Sequence, residues 1–501
     1  MTLVTLLSIA IAGYALYNYI SSRKPQGRPL PPGPKGFPVV GNVADLPTEQ
    51  EWQTYASWGR KWGGLVHISL LGQPLIIVNS YKYLEEFEKK GAIYSDRPTL
   101  EMGGELVGYS RMLVLTRYGP RFREYRKHFS RFVGPNPTQE LYPLIEQATH
   151  KFLKNTLLDP KNLNANLRRM AGGIIMKVAY GYDVKDENDE FVELVERANT
   201  NFSKSTVPGA FIVDVFPALK YLPEWLPGMK FLSLAREWRQ LTDENADLPF
   251  EFTKKQVESG SSKASLVSTG LQEQSHPTKE YIHELKWAAA SMYAGGADTT
   301  VSAEYAFFLA MVLFPDVQKR AQAEIDAVVG DERLPSLADK PNLPYVSAII
   351  TEVLRWNSVG PLGAPHTAME DGYINGFFVP KDSMIIANLW NMLHDSELYP
   401  DPFTFNPERY LGSSPQQDPR KITFGFGRRI CPGMYLAEAS LFACVAKALA
   451  TLNVEKALDA QGSPIIPVHE MTDGVISYPK PFQCSIKPRS AKASSLIVES
   501  S

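Results

Sequence analysis

The sequence predicts a mainly α domain with a small β subdomain, preceded by a single N-terminal transmembrane helix. Three observations carry that class: an uncharged apolar run at the N-terminus, two short apolar runs split by a turn near residue 72, and helical periodicity over most of the remaining chain. In chain order, LVTLLSIAIAGYALYNYI (3–20) has no charge before Arg23 and approaches the roughly 20 apolar residues that span a bilayer. Tyr14, Tyr17 and Tyr19 gather toward its C-terminal end, and Arg23, Lys24 and Arg28 follow, which suits the headgroup region and puts the body of the protein in the cytosol. A cleaved signal peptide would need a basic stretch ahead of this run, which is missing, and a buried core helix is the other rival. Residues 1–22 are therefore expected to be the anchor. Residues 23–42 make a basic, proline-rich hinge, in which Pro29, Pro31, Pro32, Pro34 and Pro38 remove backbone donors and stop the helix. The runs Leu65–Leu70 and Pro74–Val78, split by Gly72-Gln73, read as a hairpin. No linker divides residues 43–488, which read as one large, mainly helical domain, and residues 489–501 are expected to be a disordered tail with no pattern to pack.

Composition narrows the function. At roughly 100–200 residues per domain, 501 residues allow about three. Hydrophobic residues make up 44% and charged ones 21%, which suits a large core and excludes a disordered or fibrous chain. Lys and Arg total 52 against 54 Asp and Glu, and this balance argues against nucleic acid as a partner. Three cysteines, Cys431, Cys444 and Cys484, do not make a disulfide framework and fit a reducing compartment. The mean hydropathy of −0.20 averages an anchor with a globule.

The strongest local signal is Phe424-Gly-Phe-Gly-Arg-Arg-Ile-Cys-Pro-Gly433, followed by MYLAEASLFACVAKALATL at helical spacing. Cys431 is thus expected at a helix start, with Pro432 in the first turn. A helix N-terminus lowers a thiol's pKa and supplies thiolate, the form that binds metal. Gly425 and Gly427 clear side chains from the approach to the sulfur. Arg429 would pair with an acidic cofactor edge. The bland alternative, a small buried hydrophobe beside a turn, is preferred for Cys444 and Cys484, which lack these surroundings.

With those residues in view the chain resembles the cytochrome P-450 family, whose pattern FxxGxRxCxG is matched at Phe424, Gly427, Arg429, Cys431 and Gly433. The likeness extends over essentially the whole chain. It implies the P-450 fold and haem b with Cys431 as axial thiolate, a ligand that favours O–O cleavage. The stretch Tyr281–Phe314 reads as a long apolar helix interrupted by Ala294-Gly-Gly-Ala-Asp-Thr-Thr300. Thr299 lies four residues after Gly295, so its hydroxyl can reach that carbonyl and dent the helix. In the family this dent holds dioxygen, and the acid–alcohol pair, here Asp298 and Thr299, organises proton delivery. Packing glycines are the rival reading. Glu352 and Arg355 match the family's ExxR, and Arg409 completes its Glu–Arg–Arg cluster, to which the resemblance gives a structural role. Phe122 and Arg126 match the family's WxxxR with Phe in place of Trp, which loses the indole donor but leaves Arg126 for a haem propionate. His366 matches another propionate contact, while His67 and His394 read as ordinary structure.

By the same resemblance the substrate pocket draws on Leu100–Ser110, Phe202–Met229, Tyr293, Ala294, Ala297, Val359–Leu362 and Val475. These are mostly apolar, which fits a lipophilic small molecule. Residues 208–228 are expected against the membrane, with core packing as the alternative. No GxGxxG follows a strand, so electrons are expected from an NADPH-cytochrome reductase. Arg126, Lys127, Arg420, Lys421 and Arg428 are its candidate docking surface. The resemblance is to the microsomal type and to fungal enzymes of secondary metabolism. It implies a single-pass protein of the endoplasmic reticulum membrane with a cytosolic catalytic domain, hydroxylating or epoxidising a terpenoid or polyketide-like substrate. A haem-thiolate isomerase or dehydratase and a non-catalytic haem-binding protein are the alternatives, and the intact Asp298-Thr299 pair opposes the first.

Overall fold

The computed structural model describes residues 8, 11–13, 28–185, 188–207 and 209–499. The expected anchor, apart from Ser8 and residues 11–13, and the first part of the hinge lie outside the described residues. Among the described residues one helix, Met434–Thr451, is by itself long and apolar enough to cross a membrane. Most of it is buried inside the protein.

Helices dominate, and a small four-stranded sheet stands to one side. Strands β1 (Leu65–Leu70) and β2 (Gln73–Val78) pair antiparallel, β3 (His366–Thr367) pairs with β4 (Met384–Ala387), and the order is β1-β2-β4-β3. The hairpin turn is Leu71-Gly72, with φ of 51° and 88°, one residue earlier than expected, so Gln73 already pairs with Leu70. Two successive positive φ values give the twist that a two-residue hairpin requires. Strand β2 runs parallel to β4, and its side chains divide between two cores: Ile76 and Val78 on one face, Leu75 and Ile77 on the other. That is why this run is apolar throughout instead of alternating.

The central helix, Lys279–Leu313, starts where the Thr278 hydroxyl accepts from Tyr281 N (3.1 Å) and ends before Pro315. From Val301 to Val312 every residue is buried. It packs along Leu163–Tyr180, against Met434–Thr451 and against Pro344–Trp356. The C-terminal segment departs from expectation: Ala491–Glu499 is a helix with Ala493 and Ile497 buried, because the sparse apolar residues four apart meet an existing core.

Candidate active site

The cysteine loop is a tight reversal. Cys431 N donates to Phe424 O (2.8 Å), and Gly425 and Gly427 take φ of 74° and 58°, which a side chain would strain. The following helix begins at Met434 with Gly433 as N-cap, so Cys431 and Pro432 precede the helix instead of opening it. The helix end still reaches the sulfur through the Gly433 N–H. The expected depressed thiol is not what results. Burial pushes the Cys431 thiol up, and the Gly433 N–H and the Arg126 charge oppose it without prevailing. A metal at the sulfur is what would hold a thiolate here.

Above Cys431 lies a cavity of about 420 Å3 with mostly apolar walls. Three guanidinium groups line it. Arg126, on Pro120–Val133, donates to Ile430 O (2.6 Å). Arg429 donates to Ser95 O (2.7 Å) and Thr116 O (2.9 Å) and covers the Phe122 ring at 3.9 Å. Arg97, which sequence reasoning passed over, donates to Ala364 O (2.6 Å) and Pro365 O (2.8 Å). Arg97 Nε and Arg429 Nη1 are buried without a partner, and burial followed by the Arg429 charge pulls the Arg97 guanidinium down to about 9. Among the described residues no carboxylate pairs with these three. His366 joins them, its Nδ1 2.7 Å from Tyr94 O and its ring stacked on Phe426, and burial followed by the Arg97 charge keeps it neutral. Unpaired cations beside an apolar slot and a thiol fit a flat macrocycle that carries two carboxylates.

The central helix runs unbroken past the cavity, and its two glycines serve different ends. A Cβ on Gly295 would meet nothing, whereas one on Gly296 would lie 2.7 Å from Ile175 Cδ1. Gly295 therefore opens the wall and Gly296 lets two helices close. Thr299 Oγ1 donates to Gly295 O (2.8 Å), the local bond that the spacing predicts. The Asp298 carboxylate is held from outside its own helix, by Arg168 Nη1 (2.8 Å) and Asn199 Nδ2 (2.6 Å), while Tyr478 Oη donates to its carbonyl (3.1 Å). Nothing in the sequence separates Arg168 from the adjacent Arg169, so this partnership was not legible.

Cavity walls differ from the expected set. Val359, Leu362, Ala294, Val475, Phe202 and Phe424 line it. Tyr293 and Ala297 sit on the opposite helix face, Tyr293 reaching toward Gly172. Leu100–Ser110 gives way to Met112–Val114, because Glu101–Leu106 folds onto Ser205 and Asp214 instead. Of residues 202–229, Phe202 and Ser203 reach the wall.

Away from the cavity, Arg355 Nε and Nη2 each bond the Glu352 carboxylate at 2.8 Å, Arg409 Nε adds a third contact at 3.2 Å, and Tyr410 Oη a fourth at 2.9 Å. Glu352 and Arg355 are fully buried. The site's thiol, cation ring and glycine-opened helix now stand together, and comparison with known proteins is decisive. The family model described as Cytochrome P450 matches residues 31–486.

The chain belongs to the cytochrome P450 family.

Its relatives are named as monooxygenases. Cytochrome P450 monooxygenase 208 of Postia placenta is 47% identical over 487 residues, covering 96% of this chain and 94% of that one. Cytochrome P450 monooxygenase claR of Ampulloclitocybe clavipes is 44% identical, covering 99% and 93%. Cytochrome P450 monooxygenase COX2 of Coprinopsis cinerea is 38% identical, covering 97% and 94%. This P450 is accordingly an oxidoreductase of the oxygen-incorporating class that uses haem b with a cysteine thiolate as axial ligand.

Proposed function

We propose that this P450 is a membrane-anchored monooxygenase that hydroxylates or epoxidises a small lipophilic molecule, terpenoid or polyketide-like, in secondary metabolism at the endoplasmic reticulum. The observation that carries the reading is the apolar cavity with Cys431 at one end and the Thr299 hydroxyl on its wall. Cys431 would ligate the haem iron, and Arg97, Arg126, Arg429 and His366 would hold the haem carboxylates, with Phe122 and Phe424 packing beside them. Bound haem supplies the oxygen-activating chemistry. The residues of this chain do the rest. Apolar walls exclude water and orient the substrate. Thr299 presents its hydroxyl to the cavity, and Asp298, tethered by Arg168 and Asn199, serves as the proton source behind it. The Glu352–Arg355–Arg409 cluster holds the scaffold beneath.

Electrons would come from NADPH through a separate reductase, docking on the cysteine-loop side. Lys127, Lys421 and Arg428 are exposed and suit that role. Arg126 points inward and Arg420 is committed to Asp418, so both leave the expected docking set. The membrane face is read from Ile212, Tyr221 and Trp225, which are exposed, together with exposed Phe37, Val40 and Val43. A Cβ on Gly209 would lie 3.6 Å from Leu46 Cδ1, so these two apolar segments adjoin. The residues before 28 would continue from that face into the bilayer.

The experiment supplies purified protein with reductase, NADPH and a panel of terpenoids and polyketides and measures oxygenated product. Cys431→Ala is expected to lose the red-shifted carbon monoxide band of the reduced protein, and survival of that band would place the iron elsewhere. Thr299→Ala is expected to keep the band but divert NADPH to peroxide. Tight coupling in that variant would remove Thr299 from the relay.

A further inference from the structure

A second cleft is built from residues that oxygen chemistry does not use. It encloses about 690 Å3 between helices Tyr142–Leu158 and Leu163–Tyr180, the loop 334–336, and Lys447 of Met434–Thr451. A Cβ on Gly173 would meet nothing there, which leaves the space open. Among the described residues, Lys154, Arg169 and Lys447 line the cleft as cations, and the two carboxylates on its lining, Glu146 and Asp183, are already engaged. Glu146 Oε1 accepts from Leu337 N (2.9 Å), and Asp183 is bound by Lys177 and Lys263. Lys447 is 5% exposed, and its ammonium donates to the Glu146 carbonyl (2.9 Å). Among the described residues no carboxylate lies within ion-pair reach of Lys447, Lys154 or Arg169. His150 Nε2, also on the lining, is buried without a partner. A buried ammonium without an ion-pair partner is unfavourable, and the Glu146 carbonyl and charge relieve it only in part, since burial still pulls Lys447 down to about 8. Facing helices that bring one sign of charge into a concave, partly desolvated space concentrate the opposite sign there.

We propose that this cleft binds a multiply charged phosphate-bearing anion, with Lys447 as the buried charge, Arg169 as the bidentate fork and His150 and Lys154 completing the lining. Two negative groups match the spread of cations better than one, because Lys447, Arg169 and Lys154 come from three different helices. The source is either a soluble polyphosphate or phosphate ester, or a phosphorylated lipid headgroup.

The test titrates pyrophosphate into the holoenzyme by calorimetry, against sodium chloride at matched ionic strength. Saturable binding is expected, weakened about tenfold or more in both Lys447→Met and Arg169→Gln, since each deletes a charge-assisted contact worth about one decade. The carbon monoxide band is expected to be unchanged in both. Arg169 is half-buried on a helix surface, so its variant keeps the test alive if Lys447→Met fails to fold. Absence of saturable binding, or binding equally tight in the variants, would overturn the proposal. Reconstitution in phosphatidylcholine bilayers with and without a phosphorylated inositol lipid then separates the sources. Competition between lipid and pyrophosphate assigns the headgroup, and its absence assigns the soluble anion.

Discussion

Two histidines beside the Glu–Arg–Arg cluster make the stability of this P450 depend on acidity. His394 stacks on Trp390 and Phe403, and its Nδ1 lies 2.8 Å from Trp390 O. His469 stacks on Trp356 at 3.6 Å. Burial, and then the Arg355 charge, lowers His394 to about 3 and His469 to about 4, from 6.5. The unfolded chain therefore takes protons near pH 6.5 that the folded chain refuses. The neutral pair contributes its full stability above pH 6.5 and loses it as pH falls, by about 1.4 kcal/mol per histidine per pH unit. At pH 5 the loss is about 2 kcal/mol each and about 4 kcal/mol together. Asp214, raised to about 6 by burial, and the raised acid Glu304 act in the opposite sense, so the whole-protein slope is mixed. A difference measurement removes them: urea unfolding of wild type and His394→Gln/His469→Gln at pH 7, 6 and 5, followed by far-UV circular dichroism. The variant is expected to start less stable, having lost its stacking, and to gain on wild type by about 4 kcal/mol between pH 7 and 5. Two curves that stay parallel within about 0.5 kcal/mol would refute the reasoning.

Glu304 is fully buried with both carboxyl oxygens unpartnered, so Glu304→Leu is expected to raise the unfolding free energy by about 1–3 kcal/mol. Burial keeps this acid protonated in the fold while the unfolded chain ionises near 4.5, so wild type loses stability as pH rises above that value. The Leu variant is expected to lose that decline between pH 6 and 8. Gly296→Val, directed at Ile175, is expected to destabilise by about 1–3 kcal/mol in thermal unfolding, whereas Gly295→Ala leaves stability nearly unchanged and narrows the cavity. Arg355→Lys breaks a fully buried bidentate pair and leaves Glu352 with weaker partners, Arg409 and Tyr410. A loss of about 3–5 kcal/mol is expected, read as collapse of the carbon monoxide band yield.

The legible features came from local chemistry. The spacing of Thr299 to Gly295 announced a bond that forms, and the ExxR spacing put Glu352 and Arg355 in reach of each other. The hairpin was visible because two short apolar runs flank Gly72, which takes positive φ, although the turn includes Leu71 and not Gln73. Partners distant in the chain were not visible. Arg97 reads as one more charge before a proline until Arg429, 332 positions later by number, is seen near it, each guanidinium with a buried nitrogen that has no partner. Asn199 and Arg168 look like ordinary helix-surface residues until Asp298 is placed between them. The tail residues 491–499 lack enough apolar spacing to predict a helix alone, and they form one because Ile497 finds a core to enter.

The sequence by itself determined the class of chemistry. A cysteine in a glycine-opened loop, an acid–alcohol pair on an apolar helix and an ExxR pair are each defined within a few residues, where spacing fixes geometry. Only the tertiary structure decided how charge is balanced. The protonation of Cys431, the stranded guanidinium groups above it, the tether on Asp298 and the unneutralised Lys447 all depend on burial and on neighbours brought from elsewhere in the chain. Desolvation and Coulomb terms act through space, and no local pattern encodes them.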